Sequence, residues 1–360
     1  MLSAQTMSDR VRVGIVGAAG YTGAELVRLV HAHPRLELTY VAARERAGQR
    51  LAEAVPSTAG VPGLGDRVLE PFEAERAAEL AARCELAFTA LPHAASARAG
   101  QALLAAGLRV IDLSADYRLH DATVYAKWYG EHPAPALLAE AVYGLPELHR
   151  ERLRGARLVA APGCYATGAI LPLVPVLAAG LIESSGIVVD SKSGVSGAGR
   201  SPGPTTHFSE AAEGLRPYKV AGQHRHTPEI EQELSLAAGT DVKVTFTPQL
   251  APMTRGILTV AYARPRRSAT AEECRKVARE RYEGGLVTVL DAGRLPDTLW
   301  VRGSARAHIA YELDERTNTL LAMSAIDNLA RGASAQAVQA LNAMYGWPDA
   351  LGLPEVGTFP

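Results

Sequence analysis

Cys164 sits in Ala161-Pro162-Gly163-Cys164-Tyr165-Ala166-Thr167, where a turn joins two apolar segments. Ahead of it, Arg157-Leu158-Val159-Ala160 reads as a short buried strand. Behind it, Ile170, Leu171, Val174, Leu177 and Leu181 recur at helical spacing. A thiol in the first turn of a helix faces unpaired amides and the positive end of the dipole, which favour the nucleophilic thiolate. The alternative is a buried cysteine acting as a small apolar residue. A second cluster, Pro217-Tyr218-Lys219 to Gln223-His224-Arg225-His226, precedes Thr227-Pro228-Glu229. That triplet reads as N-cap, proline at the first helical position and an early acid. An extended chain just before this helix would set His224 and His226 on one side and Arg225 on the other. Such imidazoles can exchange protons during acyl chemistry. A metal-binding pair is the rival reading, but no third ligand is evident and no metal is expected. A purely structural pair is the third. The loop Ser191-Lys192-Ser193-Gly194-Val195-Ser196-Gly197-Ala198-Gly199-Arg200 offers small residues, hydroxyls and two cations, which suits either an anionic substrate group or simple flexibility.

These groups need a scaffold, and composition bounds it. The chain has 360 residues, 48% hydrophobic and 21% charged, enough for about two domains at roughly 150 residues each. A formal charge of −1 gives no reason to expect nucleic acid or an anionic membrane as partner. Cys84, Cys164 and Cys274 are dispersed and odd in number, so they suggest neither a disulfide framework nor a CxxC site, and a reducing, cytoplasmic setting is expected. Residues 1–10 are polar, lack the apolar core of a signal peptide, and read as a disordered lead. No run approaches the ~18 apolar residues of a membrane span.

The amino-terminal half predicts an α/β, Rossmann-type dinucleotide-binding domain over residues 11–160. Val11–Val16 is an apolar strand, followed by Gly17-Ala18-Ala19-Gly20-Tyr21-Thr22-Gly23 and a helical pattern. Glycines between a strand and a helix let the backbone turn sharply and approach a pyrophosphate at the helix N-terminus. The spacing is GxxGxxG rather than GxGxxG, so its placement carries more weight than its pattern. The next strand, Leu36–Ala43, ends without the acid that binds a ribose 2′-hydroxyl. Arg44, Arg46 and Arg50 follow, which suits the 2′-phosphate of NADP or else a solvated basic loop. Strands at Leu86–Leu91 and Arg109–Ser114 continue the βαβ alternation of a parallel sheet. His93 closes one of them, lining a nicotinamide site or capping the next helix.

The second half, residues 161–325, predicts an α+β catalytic and dimerisation domain with a mixed, largely antiparallel sheet. Its strands read at 186–190, 242–247, 256–262, 308–312 and 320–325. A last helix, about Asp327 to Met344, lies in a 326–360 segment expected to pack back on the first domain.

Taken in order, several motifs resemble one family. They are Gly17–Leu26, Ala90-Leu91-Pro92-His93, Ile111-Asp112-Leu113-Ser114-Ala115-Asp116-Tyr117-Arg118, Tyr143-Gly144-Leu145-Pro146-Glu147, Pro162-Gly163-Cys164-Tyr165, Ser193–Arg200, His224–Glu229 and Ala325-Ile326-Asp327-Asn328-Leu329. Together they resemble the N-acetyl-gamma-glutamyl-phosphate reductases of arginine biosynthesis, type 1, from about residue 11 to the end. Family members often carry Asn and Pro where Ala161 and Ala166 stand here, and a glycine where Ala335 stands.

The resemblance implies NADP(H) as cofactor, held by Gly17, Ala19, Gly20, Tyr21, Thr22, Gly23, Arg44, Arg46, Leu91, Pro92, His93, Ser114, Ser193, Gly194 and Asn328. It implies substrate contacts from Arg118, Tyr143, Lys192, Ser196, Gly197, Arg200 and Tyr218, and a homodimer or homotetramer. It also implies that Cys164 attacks an acyl phosphate, that the thioester is reduced to a semialdehyde, and that His226 or His224 is the acid/base. The nearest alternative is a carrier-linked aminoadipate-semialdehyde reductase of lysine biosynthesis. Aspartate-semialdehyde dehydrogenase shares the chemistry but fits His224–Glu229 poorly. A catalytically silent NADP sensor is the alternative from another class.

Overall fold

The computed structural model describes residues 10–266 and 269–360, and residues 1–9 of the expected polar lead lie outside them. The chain divides into two units, Met1–Ala161 with Ala337–Leu353, and Pro162–Gln336 with Pro354–Pro360.

In the first unit six strands form one sheet: β1 (Val11–Val16), β2 (Leu36–Ala42), β3 (Leu86–Thr89), β4 (Arg109–Asp112), β5 (Val142–Tyr143) and β6 (Leu158–Ala160). Their order is β2-β1-β3-β4-β6-β5, every pair parallel. The strands are short and almost wholly buried, as a sheet covered on both faces requires. The chain leaves β1 to one side for β2 and returns to the other for β3. The carboxyl ends of β1 and β3 therefore flank the crevice where a ligand of such a sheet binds.

Residues 337–353 belong to this same unit. Asn342 Oδ1 lies 3.1 Å from His33 Nε2, and Gln339 donates to Glu147 at 2.9 Å. The division differs from the expected one because Ile326 is still sheet and Asp327 is bonded within the second unit, to Arg255 and the Gly303 amide. The last helix is correspondingly shorter than predicted. A wide π-type turn covers Ala330–Ser334 and the regular helix is Ala335–Met344.

The second unit holds β7 (Ile187–Gly194), β8 (Arg216–Pro217), β9 (Val244–Ala251), β10 (Ile257–Ala263), β11 (Val287–Val289), β12 (Ala307–Asp314) and β13 (Thr319–Ile326). Their order is β11-β12-β13-β10-β7-β9-β8, with β7/β9 and β11/β12 parallel and the other four pairs antiparallel. Against this sheet lies the helix Cys164–Ala178, buried almost throughout. Pro172 and Pro175 interrupt its hydrogen bonding and free the carbonyls four residues earlier, Gly168 and Leu171. Ser324 Oγ donates to the first at 2.6 Å and Tyr282 OH to the second at 2.8 Å, so neither is left bare. One donor comes from β13 and the other from the end of the helix Ala271–Tyr282, so the sheet and a second helix together hold this helix.

No helix among the described residues is long and apolar enough to cross a membrane.

Candidate active site

The turn Pro162-Gly163 does what its residue types predict. Gly163 is the N-cap and Cys164 the first residue of the helix, half-buried. The other two cysteines are buried, and burial pushes both thiols up, Cys274 to about 12. Three side chains hold the turn, Gln336 and Glu229 from distant sequence and Thr167 from the same helix. Gln336 Nε2 donates to Pro162 O at 2.7 Å, Thr167 Oγ1 donates to Gln336 Oε1 at 2.8 Å, and the Gly163 amide donates to Glu229 Oε1 at 2.7 Å. All three side chains are buried. Gly332, in the wide turn, packs on Cys164 itself: a Cβ there would lie 2.8 Å from Cys164 Cβ. Asp327 fixes that turn by accepting from the amides of Leu329 and Ala330, each at 2.8 Å.

The histidines are not on an extended chain, contrary to expectation. Residues 221–226 form turns, and the N-cap of the following helix is His226 rather than Thr227. The cause is local. The amide of residue 226 donates to His224 Nδ1 at 3.1 Å, and the Thr227 amide donates to His224 O at 3.0 Å, both of which close the backbone. The rings are nonetheless neighbours, 4.8 Å apart, and both pack edge-on against Tyr165, beside the nucleophile in sequence. Tyr218 completes the cluster, its hydroxyl 3.2 Å from Tyr165 OH and 3.4 Å from His224 Nε2. The two imidazoles differ in kind. His224 is 8% exposed; burial, then the charges of His226, Lys219 and Arg225, lower its pKa to about 2. Since Nδ1 accepts, His224 is neutral with its proton on Nε2. His226 is half-exposed.

The loop after β7 is more constrained than its composition suggests. A Cβ at Gly194 would meet Thr254 O at 2.7 Å, so that residue is a packing requirement. Asn328 Nδ2 donates to Ser196 Oγ at 2.9 Å and its Oδ1 accepts from the Gly256 amide at 2.8 Å. Its amide, expected to meet the cofactor, thus links this loop to the Gly256 backbone. Ser193 Oγ donates to Gly194 O at 3.1 Å. Lys192 was expected to contact substrate. It points to the opposite face of β7 from Ser191 and Ser193, and its ammonium pairs with Asp190 at 2.5 Å. Arg200 is half-buried and Gly197 exposed in the same loop.

In the first unit the glycine loop separates into two kinds of position. Gly17 has φ +98°, and a Cβ there would sit 2.3 Å from Ala90 O; one at Gly23 would sit 2.1 Å from Gly17 O. The fold itself demands both. Gly20, the exposed N-cap of the helix Tyr21–Ala32, meets nothing closer than 3.7 Å. Its missing side chain leaves open space outside the helix N-terminus, flanked by Ala19, Tyr21 and Thr22, where a pyrophosphate fits. After β2, Arg44 is exposed and Arg46 half-buried, and neither makes an ion pair among the described residues. Arg50 pairs with Glu53 and Asp66 and is withdrawn from the expected trio.

After β3, Leu91, Pro92 and His93 are at least partly exposed; His93 Nδ1 accepts from the Ala115 amide at 3.3 Å and its ring packs on Tyr129. The next residue, Ala94, has φ +64°, a conformation that alanine adopts only under constraint. Ser114 is buried, and its hydroxyl donates to Asp112 Oδ2 at 2.6 Å rather than facing a ligand. Thr89 and Ser96 donate to the other oxygen of the same carboxylate, and burial raises the pKa of Asp112. Arg118 and Tyr143, expected to touch substrate, are also buried. Arg118 Nε donates to Ala161 O at 2.8 Å and a terminal nitrogen to Leu113 O at 2.9 Å, and Tyr143 packs edge-on with His149. Ala161 acts through its backbone, its amide also donating to Asp112 O at 2.8 Å. Ala166 and Ala335 are buried core residues.

Sequence reasoning missed Glu229, Gln336, Gly332 and Ala94 as site-shaping residues. Only Glu229 carried a signal, an acid just inside a helix start, and that signal pointed to capping.

Known proteins bear on this geometry in three ways. Residues 12–156 match the family described as semialdehyde dehydrogenase, NAD binding domain, and residues 164–328 match semialdehyde dehydrogenase, dimerisation domain. Curated relatives named N-acetyl-gamma-glutamyl-phosphate reductase include one from Geotalea daltonii, 48% identical over 97% of this chain and 100% of the relative. Another, from Symbiobacterium thermophilum, is 49% identical over 96% and 98%. Among solved structures, aspartate semialdehyde dehydrogenase II from Vibrio cholerae superposes with a TM-score of 0.69 at 16% identity, covering 93% of this chain and 98% of that one. The Candida albicans enzyme with NADP gives 0.68 at 16% identity, covering 95% and 99%.

Proposed function

The chain belongs to the N-acetyl-gamma-glutamyl-phosphate reductases, and from that membership we infer that it reduces N-acetyl-L-glutamyl 5-phosphate with NADPH, releasing N-acetyl-L-glutamate 5-semialdehyde and phosphate. The observation that carries the reading is a half-buried cysteine at the first position of a helix whose turn is clamped by three buried side chains.

The helix N-terminus favours the thiolate of Cys164. Sγ attacks the acyl carbon, the bond from that carbon to the phosphate oxygen breaks, phosphate leaves, and a thioester to Cys164 remains. The fit of Gly17, Gly20 and Gly23 to a pyrophosphate and of Arg44 and Arg46 to a 2′-phosphate supports NADPH, which supplies the hydride when bound. His226 protonates the oxygen of the resulting thiohemiacetal and takes the proton back as the carbon–sulfur bond breaks. His224 cannot share that work, being neutral at every pH near 7. It orients Tyr218 and closes the turn that carries His226. Arg200 and Ser196 bind the substrate's anionic group, Arg200 in a bidentate grip.

The names of the full-length relatives favour this substrate over the aminoadipate analogue of lysine biosynthesis. The dimerisation-domain match supports an oligomer, and we assign a homodimer or homotetramer in the cytoplasm. Cys164→Ser tests the whole reading: reduction should fall at least about a thousandfold, with NADPH binding by fluorescence titration intact. Turnover within a few-fold of the parent would overturn the thioester route.

A further inference from the structure

We propose that Glu229 is a positioning residue for the nucleophile, whose buried carboxylate both anchors the turn before Cys164 and sets how readily that thiol ionises. The inference rests on the role given to Cys164 above. Glu229 is 1% exposed and stands third in the helix Thr227–Ala238. An acid at that position usually turns back to cap its own helix. Here its Oε1 reaches 66 residues in sequence, to the Gly163 amide at 2.7 Å. That amide belongs to the N-cap of the nucleophile's helix, one peptide before the thiol. The carboxylate therefore does two things. It fixes the direction of the chain entering Cys164, and it sets a negative charge against the positive helix end that otherwise favours the thiolate.

The two effects are separable because a neutral amide oxygen can take the same hydrogen bond. The other titratable or charged groups on the elements around the thiol are Tyr165 on its own helix, Tyr218, His224 and His226 in the aromatic cluster, Lys219 and Arg225 in the histidine loop, Glu233 one turn beyond Glu229, and Asp327 and Arg331 in the segment that carries Gly332. None of them changes in the Glu229 variants. Gln336 anchors the same turn through Pro162 O without carrying charge, and so supplies the control.

The test is the rate of iodoacetamide alkylation of the full-length protein against pH, with the label located at Cys164 by mass spectrometry. It reads the thiol without substrate or cofactor. In Glu229→Gln the midpoint should move to lower pH by about 0.5–1 unit. In Gln336→Leu the midpoint should stay, while the plateau alkylation rate and kcat fall together by about tenfold. A Glu229→Gln profile that overlays the parent's overturns the proposal, as does a fall in thermal stability with the midpoint unmoved. If Glu229→Gln fails to fold, Glu229→Asp must reproduce the parental midpoint with a lowered plateau, and a moved midpoint in that variant overturns the charge argument. An active Cys164→Ser enzyme would sink the functional reading itself, whatever Glu229 does.

Discussion

Gly332→Ala adds one methyl group at the point where the wide turn meets the nucleophile. The new Cβ would lie 2.8 Å from Cys164 Cβ, 3.2 Å from Cys164 Cα and 3.3 Å from Asp327 O. Carbon pairs rest at about 3.5–4.0 Å, so the closest contact must open by roughly 0.7–1.2 Å. Neither side yields cheaply. Cys164 is held through the Pro162-Gly163 turn by Gln336 and Glu229, and the Gly332 turn is held by Asp327, whose carbonyl also accepts the Gly332 amide at 2.8 Å. Overpacking of this kind costs about 1–3 kcal/mol of stability. The kinetic cost should be larger in relative terms, because displacing a reacting atom by about 1 Å costs on the order of a hundredfold in rate.

The assay is steady-state reduction of the acyl phosphate at saturating NADPH, alongside urea unfolding and an NADPH titration. The expected pattern is a kcat lower by about two orders of magnitude, stability lower by about 1–3 kcal/mol, and unchanged NADPH affinity. A folded Gly332→Ala protein with kcat within threefold of the parent would refute the claim that this close contact locates the sulfur.

Replacing Arg44 and Arg46 together by alanine should weaken NADPH binding by roughly 10- to 100-fold per lost charged contact while leaving NADH binding unchanged; equal losses for both cofactors would remove the arginines from the 2′-phosphate. His224 gives a pH prediction. Its folded pKa, about 2, lies below the ordinary 6.5, so the unfolded chain takes the proton first. Its contribution to stability is therefore full above about pH 6.5 and is lost as pH falls, by up to about 1.4 kcal/mol per unit. Between pH 6.5 and 4.5, His224→Gln should lose about 2–3 kcal/mol less than the parent in urea unfolding; parallel losses would show that the imidazole is not held neutral.

Much of this chemistry is legible along the chain because it is local. Val11–Val16 followed by three glycines and a helical pattern could only be a strand, a tight turn and a helix. Pro162-Gly163 could only turn the chain into the helix that Ile170, Leu171 and Val174 announce. The histidine segment shows where this logic stops. An extended run was the natural expectation, yet His224 Nδ1 captures the amide two residues on and the backbone closes instead. Lys192 and Asp190 carry a similar lesson: alternate residues of a strand share a face, so the cation was answered two positions away before any substrate could claim it. Arg118, Tyr143, Ser114 and Asn328 have the residue types of ligand contacts, and the fold buries all four, with Arg118, Ser114 and Asn328 also bonded inside the protein, which their types alone do not announce.

What the sequence determined alone was the kind of each half and the placing of Cys164 at a helix start. Turn residues, strand periodicity and helix starts act within a few positions and need no distant partner. Tertiary structure alone decided that Glu229, Gln336 and Gly332, from 66 to 174 residues away along the chain, would close on one turn. It also decided that His224 would be held neutral. Both outcomes depend on burial and on contacts between segments remote in sequence, and no local preference encodes them.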